Sequence, residues 1–393
     1  MKMIYPQYVK TILDRMESAG YEAFVVGGAV RDTILGRTVN DYDITTSAMP
    51  EETAAVFSDL HVIMTGLKHG TVTVVSDKNP IEITTYRVDG DYTDSRHPDG
   101  VRFTRSIDED LARRDFTVNA MAHSERRGLV DLFGGVGDLE ASLIRAVGDP
   151  QKRFTEDALR IMRAFRFASK LGFEIEENTL RAARECRLGL ANISTERKTT
   201  ELEGIMLGRG VKKALLLMNK ARIFEVIAPD LKLDISRLGR VSELKSDFAC
   251  RMAFCLIGQE NADKYISSLR LSNAVSGRIR KLVLLASKPL EADTDPKLRR
   301  LMAQAGDELP FLLEIRRFFG DATEGIAARA ETIGKRGDCI DLKSLAVSGK
   351  DLAALGIKGT AVGATLKALL EAVLDDPTLN TREKLLALVE KNS

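Results

Sequence analysis

Asp41 and Asp43 stand in the stretch Asn40-Asp41-Tyr42-Asp43-Ile44, just after the run Gly27-Gly28-Ala29-Val30-Arg31-Asp32. On a β-strand, residues i and i+2 project from one face, so a strand over 41–45 would present both carboxylates together. Paired carboxylates bind hard divalent cations, and Mg²⁺ takes oxygen ligands while leaving room for phosphate oxygens. The two glycines let the backbone come close to a triphosphate, and Arg31 offers a guanidinium to a phosphate oxygen. Together these residues point to metal-assisted nucleotidyl transfer, in which two metals about 3.5–4 Å apart serve the attacking hydroxyl and the leaving pyrophosphate. A plain pair of surface carboxylates on an edge strand is the competing reading. Glu82, between Ile81 and Ile83, leaves two readings open: a third metal carboxylate or a solvent-facing strand residue.

Two further clusters carry chemistry. In Arg113-Arg114-Asp115-Phe116-Thr117-Val118-Asn119-Ala120, Asn119 falls one helical turn after Asp115, which allows phosphate and sugar contacts from a single face. In Glu156-Asp157-Ala158-Leu159-Arg160-Ile161-Met162-Arg163-Ala164-Phe165-Arg166, a helix would place Asp157, Arg160 and Arg163 along one stripe, with Leu159, Met162 and Phe165 toward a core. A carboxylate accepts from an exocyclic amine and an arginine donates to a ring acceptor. Cytosine and adenine carry an amine beside a ring acceptor, whereas uracil and guanine carry a carbonyl beside an N–H. An Asp/Arg pair therefore admits C and A and leaves polar groups unpaired against U and G. An i,i+3 ion pair on a solvated helix explains the same residues more plainly.

The elements that must position these groups change character along the chain. Residues 7–19 read as a helix through Val9, Ile12, Leu13 and Met16, and 50–57 as a second helix opened by Pro50. Strands are expected at 23–26, 41–45, 71–75, 81–86 and 129–132, and a long polar loop at 89–103. Beyond about residue 140 strand signals fade. Helices are expected at 156–171, 177–187, 195–207, 210–219, 246–257, 274–287, 297–305, 309–318 and 362–374, with joints near 288–296 and 335–346.

Composition sets limits on the rest. A chain of 393 residues implies two to four modules. Its 44% hydrophobic and 29% charged residues are ordinary for a soluble protein. No apolar run approaches the ~18–20 residues that span a bilayer, and the first residues carry no secretory pattern. Cys186, Cys250, Cys255 and Cys339 form no metal or redox spacing, which reads as buried thiols in a reducing cytoplasm. The four histidines form no metal pattern either. A net charge of +1 excludes a uniformly basic coat, yet Lys152, Arg153, Arg160, Arg163, Arg166 and Lys170 concentrate positive charge within 151–170.

Taken in order, the Gly27–Asp32 run, Asp41-x-Asp43, Arg113–Met121, Asp131-x-x-Gly134-Gly135-x-x-Asp138-Leu139 and Glu156-Asp157-x-x-Arg160 resemble the class II CCA-adding tRNA nucleotidyltransferases, of the polymerase-β-like superfamily. The resemblance is dense from about 20 to 205 and returns at Gly349-Lys350-Asp351-Leu352 through Gly363. It implies an α+β protein: a small mixed-sheet nucleotidyltransferase head (1–140), then an all-α neck (141–208), body (209–295) and tRNA-binding tail (296–393). It implies addition of CCA to tRNA from CTP and ATP. Asp41 and Asp43 would be catalytic and bind Mg²⁺. Gly28 and Arg31 would meet the triphosphate; Arg114, Asp115 and Asn119 the phosphate or ribose. Asp157 and Arg160 would act as a protein template, and Arg163 and Arg166 would hold phosphates or orient that template. Lys212, Lys213, Arg278, Arg280 and Lys281 would suit RNA phosphates in the helical arm.

Bacterial poly(A) polymerases share the head but carry an Arg-rich segment where this chain reads Val62–Gly70. CC-adding relatives lack the loop that is present here at 89–103 with Asp91, Asp94 and Arg96. Residues 210–393 contain no histidine, against an appended HD phosphohydrolase. A noncatalytic RNA-binding protein on the same frame is the alternative from another class.

Overall fold

Helix α1 (Gln7–Ser18) follows Pro6 and buries Val9, Ile12, Leu13 and Met16, one face of a 3.6-residue period. The computed structural model describes residues 3–89 and 101–391. Strand β1 (Ala23–Val26) is buried along its length. Gly27 then takes φ +63°, a left-handed angle natural to glycine, and turns the chain into α2 (Gly28–Ile34). Next come β2 (Ile44–Thr46), α3 (Pro50–Val56), β3 (His61–Gly66), β4 (Thr71–Ser76) and β5 (Asn79–Thr85). β6 (Arg87–Asp89) pairs with β7 (Val101–Phe103), and α4 (Ile107–Ala112) leads to β8 (Ala122–Ser124), β9 (Gly128–Val130) and α5 (Gly135–Glu140). The seven-stranded sheet runs β3-β4-β5-β2-β1-β8-β9. Only β2 and β5 pair in parallel, so the sheet is mixed, as expected.

Two strand expectations need correction. Asp41 and Asp43 precede β2 instead of lying on it. Because β1 ends where Gly27 turns away, residues 41–43 have no neighbouring strand beyond one bond, from the Val26 N–H to the Asp43 carbonyl at 3.0 Å. β3, β6, β7 and β8 lie outside the expected strands, β7 within the loop expected at 89–103; β3 is a largely exposed edge strand and the other three are three residues long, so none carries a strong alternation. Residues 90–100 of the expected loop, with Asp91, Asp94 and Arg96, lie outside the described residues.

Helices dominate the rest of the first compact unit, Met1–Asp230, although β10 (Leu143–Ile144) and β11 (Glu174–Ile175) still form a short parallel pair. The single helix expected at 156–171 is broken. α6 (Pro150–Glu156) stops at Asp157, which is extended (φ −139°, ψ 104°), and α7 (Leu159–Leu171) begins two residues later. The cause is the aspartate itself: its carboxylate accepts the Leu159 N–H at 2.9 Å and caps α7, a role its short acidic side chain favours. α8 (Glu177–Glu185), α9 (Thr195–Leu207) and α10 (Val211–Lys220) follow, with α7 packed against α9 and α10.

The second unit, Leu231–Ser393, is helical. Helices at Thr323–Arg336 and Arg382–Lys391 join those expected from the pattern. Leu352, Val373 and Leu385 centre a core in its last third. Arg299, 4% exposed, donates to the Leu374 and Asp375 carbonyls at a helix C-terminus and pairs with Asp338 at 3.1 Å. Cys250 and Cys255 are buried thiols pushed up to about 12 by desolvation; Cys339 is also buried, while Cys186 is half-buried.

Asp110 on α4 is fully buried and anchors the Arg113-Arg114 pair, at 2.7 and 3.3 Å. Burial alone would raise its carboxyl, but the charges of Arg114 and Arg113 win and hold it below the usual range. A lowered folded value stabilises the fold above the unfolded carboxylate value of about 3.9. That stabilisation disappears as pH falls through the lowered folded value. Asp110→Asn is expected to cost about 3 kcal/mol at pH 7, and urea unfolding at pH 7 and pH 3 should show the gap from wild type shrinking in acid.

Candidate active site

The residues singled out by type and spacing converge. One cavity of about 700 Å³ is lined by Gly28, Arg31, Asp41, Asp43, Arg114, Asp115, Asn119, Asp157, Arg160, Arg163 and Arg166, together with Gly27, Arg113, Leu159, Phe167, Lys170 and Arg197. Its volume suits a nucleotide-sized ligand. Eight cationic side chains face four carboxylates there. This excess favours a polyanion.

The floor is a chain of polar contacts, part-buried except for the buried bond between Arg31 and Asn119. Arg163 on α7 donates through Nε and Nη2 to Asp115 at 2.7 and 2.6 Å. Asp115 accepts the Phe116 N–H at 2.8 Å, and Asn119 reaches it at 3.4 Å. Asn119 in turn accepts from Arg31 at 2.6 Å, and Arg31, 3% exposed, also forks onto Asp32 with two bonds of 2.9 Å. Burial would raise the Asp115 carboxyl, but Arg163 and the hydrogen bonds hold it below the usual range. Asp115 raises the Arg163 guanidinium correspondingly.

The Asp131–Leu139 motif braces this floor. Asp131 accepts the N–H groups of Gly135 and Val136 at 2.7 and 2.9 Å, capping α5. Asp138 accepts from the Thr117 hydroxyl at 2.6 Å. A Cβ on Gly135 would stand 2.4 Å from the Thr117 carbonyl oxygen, so only glycine allows this close approach.

At the other wall, Asp157 accepts from Arg197 on α9 at 3.1 Å, and Arg160 donates to Glu156 at 2.6 Å and to the Arg113 carbonyl at 3.3 Å. Arg166 pairs with buried Glu201 of α9. Arg114 anchors on Asp110, and its Nε is buried without a hydrogen-bond partner.

Asp41 and Asp43 line the mouth. Crowding by protein, then the charges of Asp41 and Glu82, push the Asp43 carboxyl above the usual range against the pull of Arg114. Mutually repelling carboxylates with free oxygen donors fit a hard divalent cation, which would relieve that repulsion. Glu82 is exposed on β5 opposite Thr73. Among the described residues no group of three or more His, Cys, Asp or Glu is arranged to hold a metal.

A family model described as "Poly A polymerase head domain" matches residues 23–145, and one described as "Probable RNA and SrmB- binding site of polymerase A" matches residues 172–234. The chain is 37% identical over 390 residues to the CCA-adding enzyme of Limosilactobacillus fermentum, covering 96% of this chain and 94% of that protein. The chain belongs to the CCA-adding enzyme family. A solved relative, the Bacillus stearothermophilus CCA-adding enzyme in complex with CTP, is 32% identical with a TM-score of 0.83, covering 99% and 98% of the two chains. The Thermotoga maritima CCA-adding enzyme complexed with tRNA, at 21% identity and a TM-score of 0.70, shares the fold. Like its relatives, the chain is a tRNA nucleotidyltransferase.

Motif reading missed Phe167 and Arg197 in the lining of this cavity, and Glu201, which pairs with Arg166 of that lining. Arg197 and Glu201 reach it through the packing of α7 on α9, a contact that local spacing does not encode. Several cations expected to meet RNA are engaged within the protein. Arg278 pairs with Asp247 and Glu308, Arg280 with Asp263, and Lys213 with Glu174. No helix is long and apolar enough to cross a membrane among the described residues.

The charge excess makes a base-free prediction. Inorganic tripolyphosphate should bind this cavity, with affinity falling as salt rises. Lys170 is exposed on the cavity wall, so Lys170→Ala should weaken calorimetric binding about threefold without lowering the melting temperature.

Proposed function

We propose that this protein completes and repairs the 3′-terminal CCA of tRNA, joining the RNA 3′-hydroxyl to the α-phosphate of CTP, twice, and then of ATP, with release of pyrophosphate each time. The observation that carries the reading is the convergence of Gly28, Arg31, Asp41, Asp43, Arg114, Asp115, Asn119, Asp157, Arg160, Arg163 and Arg166 on one polyphosphate-sized, cation-rich cavity. The CTP complex of a relative alike over almost its whole length supports it. The proposed division is a catalytic head (1–140), neck (141–208), body (209–295) and tRNA-binding tail (296–393), at work in the cytoplasm.

Asp41 and Asp43 would hold Mg²⁺, which when bound supplies charge neutralisation at the attacking and leaving oxygens. The chain's own groups do the positioning. Gly28 and Arg31 line the triphosphate end, and Arg114, with Asn119 and Asp115 behind it, faces phosphate or ribose. Arg163 and Arg166 hold phosphates or orient the template. Asp157 and Arg160 select the base. Protein partners pin both: Asp157 accepts from the Leu159 N–H and Arg197, and Arg160 donates to Glu156 and to the Arg153 and Arg113 carbonyls, which fixes their directions. A carboxylate has about four acceptor sites, so Asp157, with two bonds to the protein, retains lone pairs for the amine of a base. Pinned polar groups choose the base without a nucleic-acid template, because uracil or guanine would leave them unpaired.

The test supplies purified protein and Mg²⁺ with tRNAs ending in N, NC or NCC, and CTP and ATP singly or together. Ordered completion to CCA is the expected result. Long A tails would instead mark a poly(A) polymerase, and binding without extension a noncatalytic module. Asp41→Ala and Asp43→Ala should each abolish incorporation, while tRNA binding measured by gel shift stays within about twofold, since neither carboxylate attracts RNA phosphate.

A further inference from the structure

Phe167 is the aromatic side chain that lines the cavity among the described residues, and three guanidiniums surround it. Arg166 lies 4.5 Å from the ring centroid, Arg163 5.3 Å and Arg31 5.7 Å. Arg31 comes from α2 and the other two from α7, so cations from two elements share one ring. The ring is 6% exposed and packs edge-to-face on Phe116, centroid to centroid 5.8 Å.

Three like charges at this spacing repel. Each is tied on its far side to an acid or amide: Arg31 to Asp32 and Asn119, Arg163 to Asp115, and Arg166 to Glu201. Those bonds pull the guanidiniums toward three different places. The electron-rich face of the ring is the one attraction common to all three. An aliphatic side chain would fill the same space without supplying it.

We propose that Phe167 is a positioning residue, whose ring gathers Arg31, Arg163 and Arg166 into one fan so that a nucleoside triphosphate meets three guanidiniums at a set spacing. The proposal rests on the reading that these arginines face phosphate. It predicts an effect on binding common to CTP and ATP, since the phosphates are common, and none on the choice between bases.

The experiment measures kcat and KM for CTP and ATP on full-length protein, with calorimetric binding of tripolyphosphate and a thermal melt of each variant. Phe167→Leu should raise both KM values about fivefold, in step with weaker tripolyphosphate binding, while kcat and the CTP-to-UTP preference stay within about twofold. Phe167→Tyr, which keeps the ring face, should behave as wild type. Pentafluorophenylalanine at the same position keeps the shape but reverses the ring's polarity, so it should behave like leucine even if Phe167→Leu folds poorly. Wild-type KM values for the fluorinated protein would overturn the proposal, leaving Phe167 a packing residue. Arg166→Gln separates the underlying reading: if it binds tripolyphosphate as wild type does, the phosphate role of the arginines fails, and the role of the ring with it.

Discussion

One part-buried ion pair, Asp115 with Arg163, organises the site. Asp115 belongs to the turn after α4 and Arg163 to α7, so their bond ties the sheet-bearing part of the first unit to the helix that carries Arg160, Arg163 and Arg166. A carboxylate with a side chain 9% exposed is costly to bury unless its lone pairs are filled. Here Arg163, the Phe116 N–H and Asn119 fill them. Asn119, turned by that bond, presents its oxygen to Arg31. The proposed triphosphate and base ends of the cavity therefore share one hydrogen-bonded floor, and neither can shift without disturbing the other.

This arrangement answers the problem an arginine-rich cavity poses. Free guanidiniums would repel and scatter. Arg31, Arg113, Arg114, Arg160 and Arg166 each have a fixed acidic partner that does not line the cavity, Asp32, Asp110, Glu156 or Glu201, while Arg163 and Arg197 pair with Asp115 and Asp157 of the lining. The acids neutralise enough charge for the arginines to be packed together, yet the lining still carries a positive excess. Preorganised donors of this kind cost no rearrangement when the ligand's charge arrives.

Much of this was legible in the amino-acid order, for a physical reason. Asp41, Asp43, Arg31, Asp157 and Arg160 stand in short local patterns whose residue types have few uses together, and the strand-then-helix change in periodicity located them in the fold. What could not be read depended on tertiary contact. Arg197 meets Asp157 from 40 residues away and Glu201 meets Arg166 from 35, and nothing in the spacing of α9 announces either. Phe167 reads as one more apolar residue on an amphipathic helix. The break at Asp157 went unread because its apolar periodicity continues across it, whereas the carboxylate's bond to the Leu159 N–H does not show in a pattern. Likewise the aspartate pair sits beside a strand rather than in one, since the turn at Gly27 removes the neighbour that residues 41–43 would need.

The central claim is that protein side chains in this cavity choose the base. Its most direct measurement is the ratio of CTP to UTP incorporation, as kcat/KM on a tRNA lacking CCA, for wild type and for Asp157→Ala. A ratio near 10⁴ in wild type, falling to about 10² or below in the variant, is the predicted result. A ratio unchanged by the substitution, with both nucleotides slowed alike, would contradict it.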